Sequence, residues 1–219
     1  MVDFEAPLSG IQKSLSVFSK KPIVLVPALA GSIVSTLLSF IDGVSFFGWV
    51  WFANISFYST NQILLGIVVS LIQVSLTLFL IFVSLDMIRD AHLKVEPNIK
   101  KSSSYVRSRI ITIVLAVVIG QAMVITIVLI PLAIGMLVIL VVDDTNVGTA
   151  LSRALEFLRK RPIDLIALAA IALAARVIMG PVLDLVISIP FIGLLTLVTD
   201  LMVAFAVMEI YSSYKRPPK

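Results

Sequence analysis

The sequence predicts an all-α, polytopic integral membrane protein of about six transmembrane or re-entrant helices. They form three hairpins accompanied by amphipathic interfacial helices. Three observations lead there. Of 219 residues, 59% are hydrophobic and only 14% charged, with a mean hydropathy of +1.11. A soluble domain carries roughly 25% charged residues. Long uncharged runs alternate with short basic segments. The basic segments all fall where a hairpin fold would return the chain to one side. The whole chain, 1–219, reads as a single helical membrane domain with no separate soluble one.

Residues 1–21 contain Asp3, Glu5, Lys13, Lys20 and Lys21, with no apolar core ahead of Lys20. They do not read as a signal peptide, and the stretch from Ile23 reads as an uncleaved anchor. Residues 22–41 are the first uncharged run, and 43–85 are the second. As one helix the second would reach about 65 Å, twice a bilayer core, so it must hold a loop and a helix. Seven of the 18 aromatic residues fall within 46–58, among them Trp49 and Trp51. Such side chains favour the membrane interface. The loop is therefore placed at 43–60 and the helix from Gln62 to Met87. Residues 110–142 are uncharged, with Pro131 and Gly135 inside. Residues 163–187 and 190–212 give two further segments, turning near Ser188.

Lys and Arg fix the orientation. Segments 1–21, 86–109, 143–162 and 213–219 hold 3, 6, 4 and 3 of them, leaving only Arg176 of the 17. Basic residues stay in the cytoplasm, so the expected location is the cell (cytoplasmic) membrane, multi-pass, with N- and C-termini cytoplasmic. Residues 110–142 then start and finish on the same side. They either cross twice, as a bent pair turning near Pro131, or form a re-entrant hairpin covered by protein.

An internal repeat is a further signal, between 8–88 and 147–212. Lys20-Lys21-Pro22-Ile23 recurs as Lys160-Arg161-Pro162-Ile163, and residues 14–30 match 154–170 at six of 17 positions. Ahead of each motif lies a stripe with helical spacing: Leu8, Ile11, Leu15 and Phe18, then Val147, Leu151, Leu155 and Leu158. Each unit reads as an in-plane amphipathic helix, a basic turn, a Pro in the first helical turn and a hairpin. The segment 98–109 reads as the start of a third, weaker unit.

Val141-Val142-Asp143-Asp144 followed by Ala150-Leu151-Ser152-Arg153-Ala154-Leu155-Glu156-Phe157-Leu158 carries a family likeness. Across roughly 110–212 the chain resembles a loose group of prokaryotic, often archaeal, multi-pass membrane families. That group is related to the membrane domain of some glycerophosphodiester phosphodiesterases. Ala154 departs from the Ser that the group often has. The resemblance implies a helical membrane domain and no catalytic residues.

No nucleophile elbow or phosphate-cradling glycine loop is present, there is no cysteine, and no cofactor or metal site is expected. His92, the single histidine, reads as a solvated loop residue. The best-placed ionisable residues are Arg176 and Asp200, each 12 residues from the turn at Ser188. As a mid-membrane pair they read as an ion relay or substrate counter-charge, or as a structural pair fixing helix register. Arg176 could instead snorkel outward, with Asp184 a competing partner. Gln73 and Gln121 read as interhelical hydrogen-bonding groups, and Asp143 and Asp144 as caps of the helix at Val147. Lys20, Lys21, Arg159, Lys160 and Arg161 are candidate lipid head-group contacts.

The leading functional expectation is a non-enzymatic protein that organises lipid or serves as accessory or scaffold to a partner complex. Its expected partners are the bilayer, with anionic lipids, and a second copy or partner membrane protein; nucleic acid is not among them. The alternatives are a small-solute or ion transporter using Arg176 and Asp200, and a lipid-modifying enzyme working at Asp86, Asp90, His92 and Asp143.

Overall fold

The structure is a computed structural model that describes residues 5–42, 60–124, 126–185 and 190–215. It leaves out the side chains of 35–42, 60–71, 73–74, 124, 127, 176–185 and 190–196. The expected aromatic loop with Trp49 and Trp51, the turn at Ser188 and the side chains of Gln73, Arg176 and Asp184 lie outside the described residues. Among the described residues the chain is all-helical, with nine α-helices and no strand.

The first unit begins with α1 (Glu5–Lys20), whose acidic first turn and basic last turn suit the helix dipole. Lys21 leaves the helix at φ −132, ψ 65, its N–H bonded to Val17 O at 2.8 Å, and Pro22 opens a 3-10 turn into α2 (Val26–Asp42). The chain bends by 102° between α1 and Pro22–Val34. α3 (Thr60–His92) runs several residues beyond its expected end at Met87. It lies close against α2: a Cβ on Gly31 would stand 3.3 Å from Leu80 Cβ. The buried Ser84 hydroxyl accepts the Ala28 N–H at 3.0 Å, satisfying a donor near the start of α2.

The second and third units repeat local devices of the first. Lys94 takes a left-handed conformation (φ 60) after α3, with Val95 N–H bonded to Asp90 O. Asp144 (φ 49) does the same after α6 (Ile130–Val142), with Thr145 N–H bonded to Leu140 O. Both are Schellman-type helix ends. Asn98 caps α4 (Ile99–Ser108) through Lys101 N–H, and Asn146 caps α7 (Val147–Lys160) through Thr149 N–H. The capping role expected of Asp143 and Asp144 therefore belongs to Asn146, which sits immediately before Val147. Asp143 instead ends α6. After α7, Arg161 takes φ −132, ψ 54, close to the angles of Lys21, and Pro162 begins α8 (Pro162–Leu185). α9 is Pro190–Lys215.

The uncharged run 110–142 contains two helices, α5 (Ile110–Val124) and α6, packed on each other with a 3-10 segment just before Pro131. These helices are about 22 and 20 Å long, against a hydrocarbon core of about 30 Å. Among the described residues one helix, Leu197–Lys215, is long and apolar enough to cross a membrane. Glu5–Lys20 with Pro22–Val34, and Ile99–Ser108 with Ile110–Met123 (bent by 76°), pass only as bent pairs; Ile130–Val142 and Pro162–Ala175 are shorter apolar helices.

The nine helices form a cyclic arrangement of three units. α2 with α3, α5 with α6 and α8 with α9 are hairpins, and α3, α6 and α9 pack on one another at the centre. Each leading helix lies on the inner helix of the unit before it: α4 on α3, α7 on α6, and α1 on α9, which closes the ring.

The leading helices use small side chains for this packing. Pro7, Gly10, Ser14 and Phe18 are buried on α1, Ser102 and Val106 on α4, and Val147, Ala150, Ala154 and Phe157 on α7. Pro7, Gly10 and Ser14 correspond to Val147, Ala150 and Ala154 at the same offset of 140 that aligns the basic turns. The apolar stripe of α1 mostly faces outward, with Leu8 and Leu15 55% and 53% exposed, although Phe18 is buried. Leu155 on α7 is exposed as well. Two small-residue faces can approach an inner helix closely, and bulky leucines on that side would hold the helices apart.

Candidate functional site

Two places in the bundle concentrate polar chemistry. The first is the end where the inner helices finish and the leading helices lie across them. Each leading helix contributes a cation to an acid near the end of its neighbouring inner helix. Lys13 meets Glu209 at 2.5 Å, Lys101 meets Asp90 at 3.0 Å, and Arg153 pairs with Asp143. Polar side chains also tie the inner helices to one another. His92 Nδ1 on α3 lies 3.1 Å from Glu209 of α9, and its Nε2 lies 3.0 Å from the Ser212 hydroxyl. Tyr211 and Lys215 of α9 each donate to Asp143 at 2.6 Å. Arg89 of α3 donates to Val141 O on α6 at 3.1 Å and pairs with the fully buried Asp86 at 2.6 Å.

Burial on its own would raise the Asp143 pKa. Hydrogen bonds from Lys215, Tyr211 and Arg153 outweigh it and hold the carboxyl below its ordinary range. Tyr105 stacks beneath Arg89 at 4.9 Å, and burial pushes its phenol above the ordinary value. His92 is not a solvated loop residue: its side chain is 12% exposed and packs edge-on against Phe205. The sequence offered a partial signal for this network, namely an acid near the end of each apolar run and a Lys or Arg within the following amphipathic stretch. It could not show which acid each cation would reach.

The residues of the lipid-modifying alternative are therefore distributed around this ring, each engaged by neighbours. Asp86 holds Arg89, Asp90 holds Lys101, Asp143 holds three donors, and His92 holds Glu209. Among the described residues no group of three His, Asp or Glu is placed to hold a metal ion.

The second place is a cavity of about 320 Å³ between the hairpins, where among the described residues Asp200 and Gln121 are the polar side chains in a wall that includes Leu78, Phe82, Val117 and Leu137. Asp200 is half-buried there. The Arg176 backbone lies in α8. Of the candidate head-group contacts, Lys160 pairs with Glu156 at 3.2 Å, Arg161 with Asp164 at 3.4 Å, and Lys21 donates to Val95 O at 3.4 Å. Lys20 and Arg159 are exposed.

No family model, curated protein or solved structure matches the chain.

Proposed function

We propose that the chain is a multi-pass protein of the cytoplasmic membrane, its six segments forming three hairpins with the basic end in the cytoplasm. It acts without catalysis, organising lipid or supporting a partner complex. The observation that carries this reading is the collar of leading helices. Each lays a buried face on an inner helix, rich in small residues in α1 and α7, and α1 and α4 bend by 102° and 76° from the apolar helices that follow. α1 turns Leu8 and Leu15 outward and carries Lys13 and Lys20, and α7 turns Leu155 outward beside Arg159 and Lys160. A helix with one apolar face outward and basic residues beside it suits the head-group boundary of an anionic bilayer. The apolar helices below add exposed Ile111, Val118, Ile163 and Ile166, surface that a bilayer would cover.

The test is lipid enrichment. Protein extracted from membranes of mixed phosphatidylglycerol and phosphatidylcholine should retain the anionic lipid preferentially. Changing Lys20, Lys21, Arg159, Lys160 and Arg161 to Gln should remove that preference. Equal retention by both proteins would contradict the lipid-organising role. A second reading, transport of a small solute or ion, is favoured by the cavity at Asp200. It requires Asp200→Asn to abolish flux in proteoliposomes while the protein stays folded; unchanged flux would rule it out.

A further inference from the structure

The three-fold scheme breaks at one place. α2 packs on α9, and α8 packs on α6, each the inner helix of the preceding unit. Among the described residues α5 does not pack comparably on α3. The 320 Å³ cavity draws on both helices there, taking Leu78 and Phe82 from α3 and Val117 and Gln121 from α5, with Leu137 and Asp200 across from them. Gln121 is exposed, and so is its neighbour Val118, at 60%. The α5 wall therefore presents both the cavity and the outer surface. Small-molecule sites have this size and this make-up, an apolar wall with a few polar groups.

We propose that this cavity binds a small amphiphile that enters sideways from the bilayer between α3 and α5. Its apolar body lies against Leu78, Phe82 and Leu137, and its hydroxyl head donates to the Asp200 carboxylate and accepts from the Gln121 amide N–H. The proposal rests on the membrane reading. Within a bilayer an apolar body gains little by leaving lipid for protein, because both are hydrocarbon. The head group decides: a donor in hydrocarbon has no partner, and leaving it unsatisfied is costly. A carboxylate offers about four acceptor positions, so Asp200 can serve a ligand while keeping another partner. The Gln121 amide both donates and accepts.

Gly120 gives a way to fill the site. A Cβ there would lie 3.8 Å from Leu137 and Met136, an ordinary contact, so a larger side chain can be accommodated at the cavity wall. The experiment uses the full chain in phosphatidylcholine nanodiscs, photolabelled with a diazirine-bearing octanol and mapped by peptide mass spectrometry. Labelling should saturate, concentrate on Leu78, Phe82 and Val117, and be displaced by 1-octanol but not by methyl octyl ether, which lacks a donor. Gly120→Leu, and independently Gln121→Leu at its exposed position, should each lower site labelling about tenfold, the factor expected for loss of one well-placed interaction. Three results would overturn the inference: labelling that does not saturate, labelling as strong on Ile111 and Ile166, or displacement by the ether as effective as by the alcohol. A chain that fails to enter nanodiscs would overturn the membrane reading and this inference with it. An inserted chain with non-saturating label overturns this inference alone.

Discussion

Asp143 is the residue on which most of the polar end converges. Its side chain is 3% exposed and receives Arg153, Tyr211 and Lys215, from two different helices. Without the carboxylate the half-exposed Arg153 and Lys215 return to solvent, but the buried Tyr211 hydroxyl loses its acceptor, so Asp143→Ala should destabilise the protein by about 1–3 kcal/mol. The pH dependence follows from the direction of the shift. A carboxyl held below its unfolded value contributes stability that is fully present above the unfolded pKa, about 3.9. That contribution is lost as pH falls through the lower folded pKa. Denaturation of the purified protein in detergent should show wild type losing stability below about pH 4 more steeply than Asp143→Asn. Parallel curves would mean that these hydrogen bonds do not favour the ionised form. The sequence placed Asp143 at a helix boundary and assigned it to the wrong helix. Asn146, three residues on, has the position that reaches the first free N–H groups of α7, leaving Asp143 for partners distant in the chain.

At the scale of the element, apolar runs and prolines made the helices readable. Both Pro22 and Pro162 open the helical segments that follow the basic turns, and the break in 110–142 falls just before Pro131. Less readable was the seating of the leading helices. The leucine stripe on α1 is the more conspicuous pattern, yet Gly10 and Ser14 make the inward face, because packing distance rather than hydrophobicity selects that side. A Cβ at Gly10 would come 2.9 Å from Ala206 Cβ, closer than real contacts allow. Gly10→Leu should therefore lift α1 from α9 and break the pair of Lys13 with Glu209. A cost of about 1–3 kcal/mol is expected for such overpacking, together with faster amide exchange in α1 than in α7. Leu8→Ser, on the outward face, should leave exchange in α1 unchanged. The opposite ranking would show that the leucine stripe seats the helix.

For the whole molecule, the three-unit ring explains several features that look unrelated along the chain. The offset of 140 matches the basic turns, the buried faces of α1 and α7, and the backbone angles of Lys21 and Arg161. The second unit carries the same order of elements with shorter helices, and its α5 is the member that stands away from the preceding inner helix, beside the cavity. Sequence comparison within the chain detected the first and third units because Lys20-Lys21-Pro22-Ile23 and Lys160-Arg161-Pro162-Ile163 mark them. The second lacks that motif and became evident through packing. Ring closure by α1 on α9 was not readable, since it joins residues about 200 apart by shape.

The central claim, that all three leading helices lie on one side of a membrane crossed by three hairpins, has a direct test. The chain has no cysteine, so single cysteines can be introduced at Ser9, Ser103, Ser152 and Lys219, and at Ser56 in the aromatic segment. Each is then exposed to a membrane-impermeant maleimide in sealed right-side-out and inverted vesicles. The first four should react from the cytoplasmic face alone and Ser56→Cys from the opposite face alone. Reaction of Ser103→Cys or Ser152→Cys from the outer face would contradict the account.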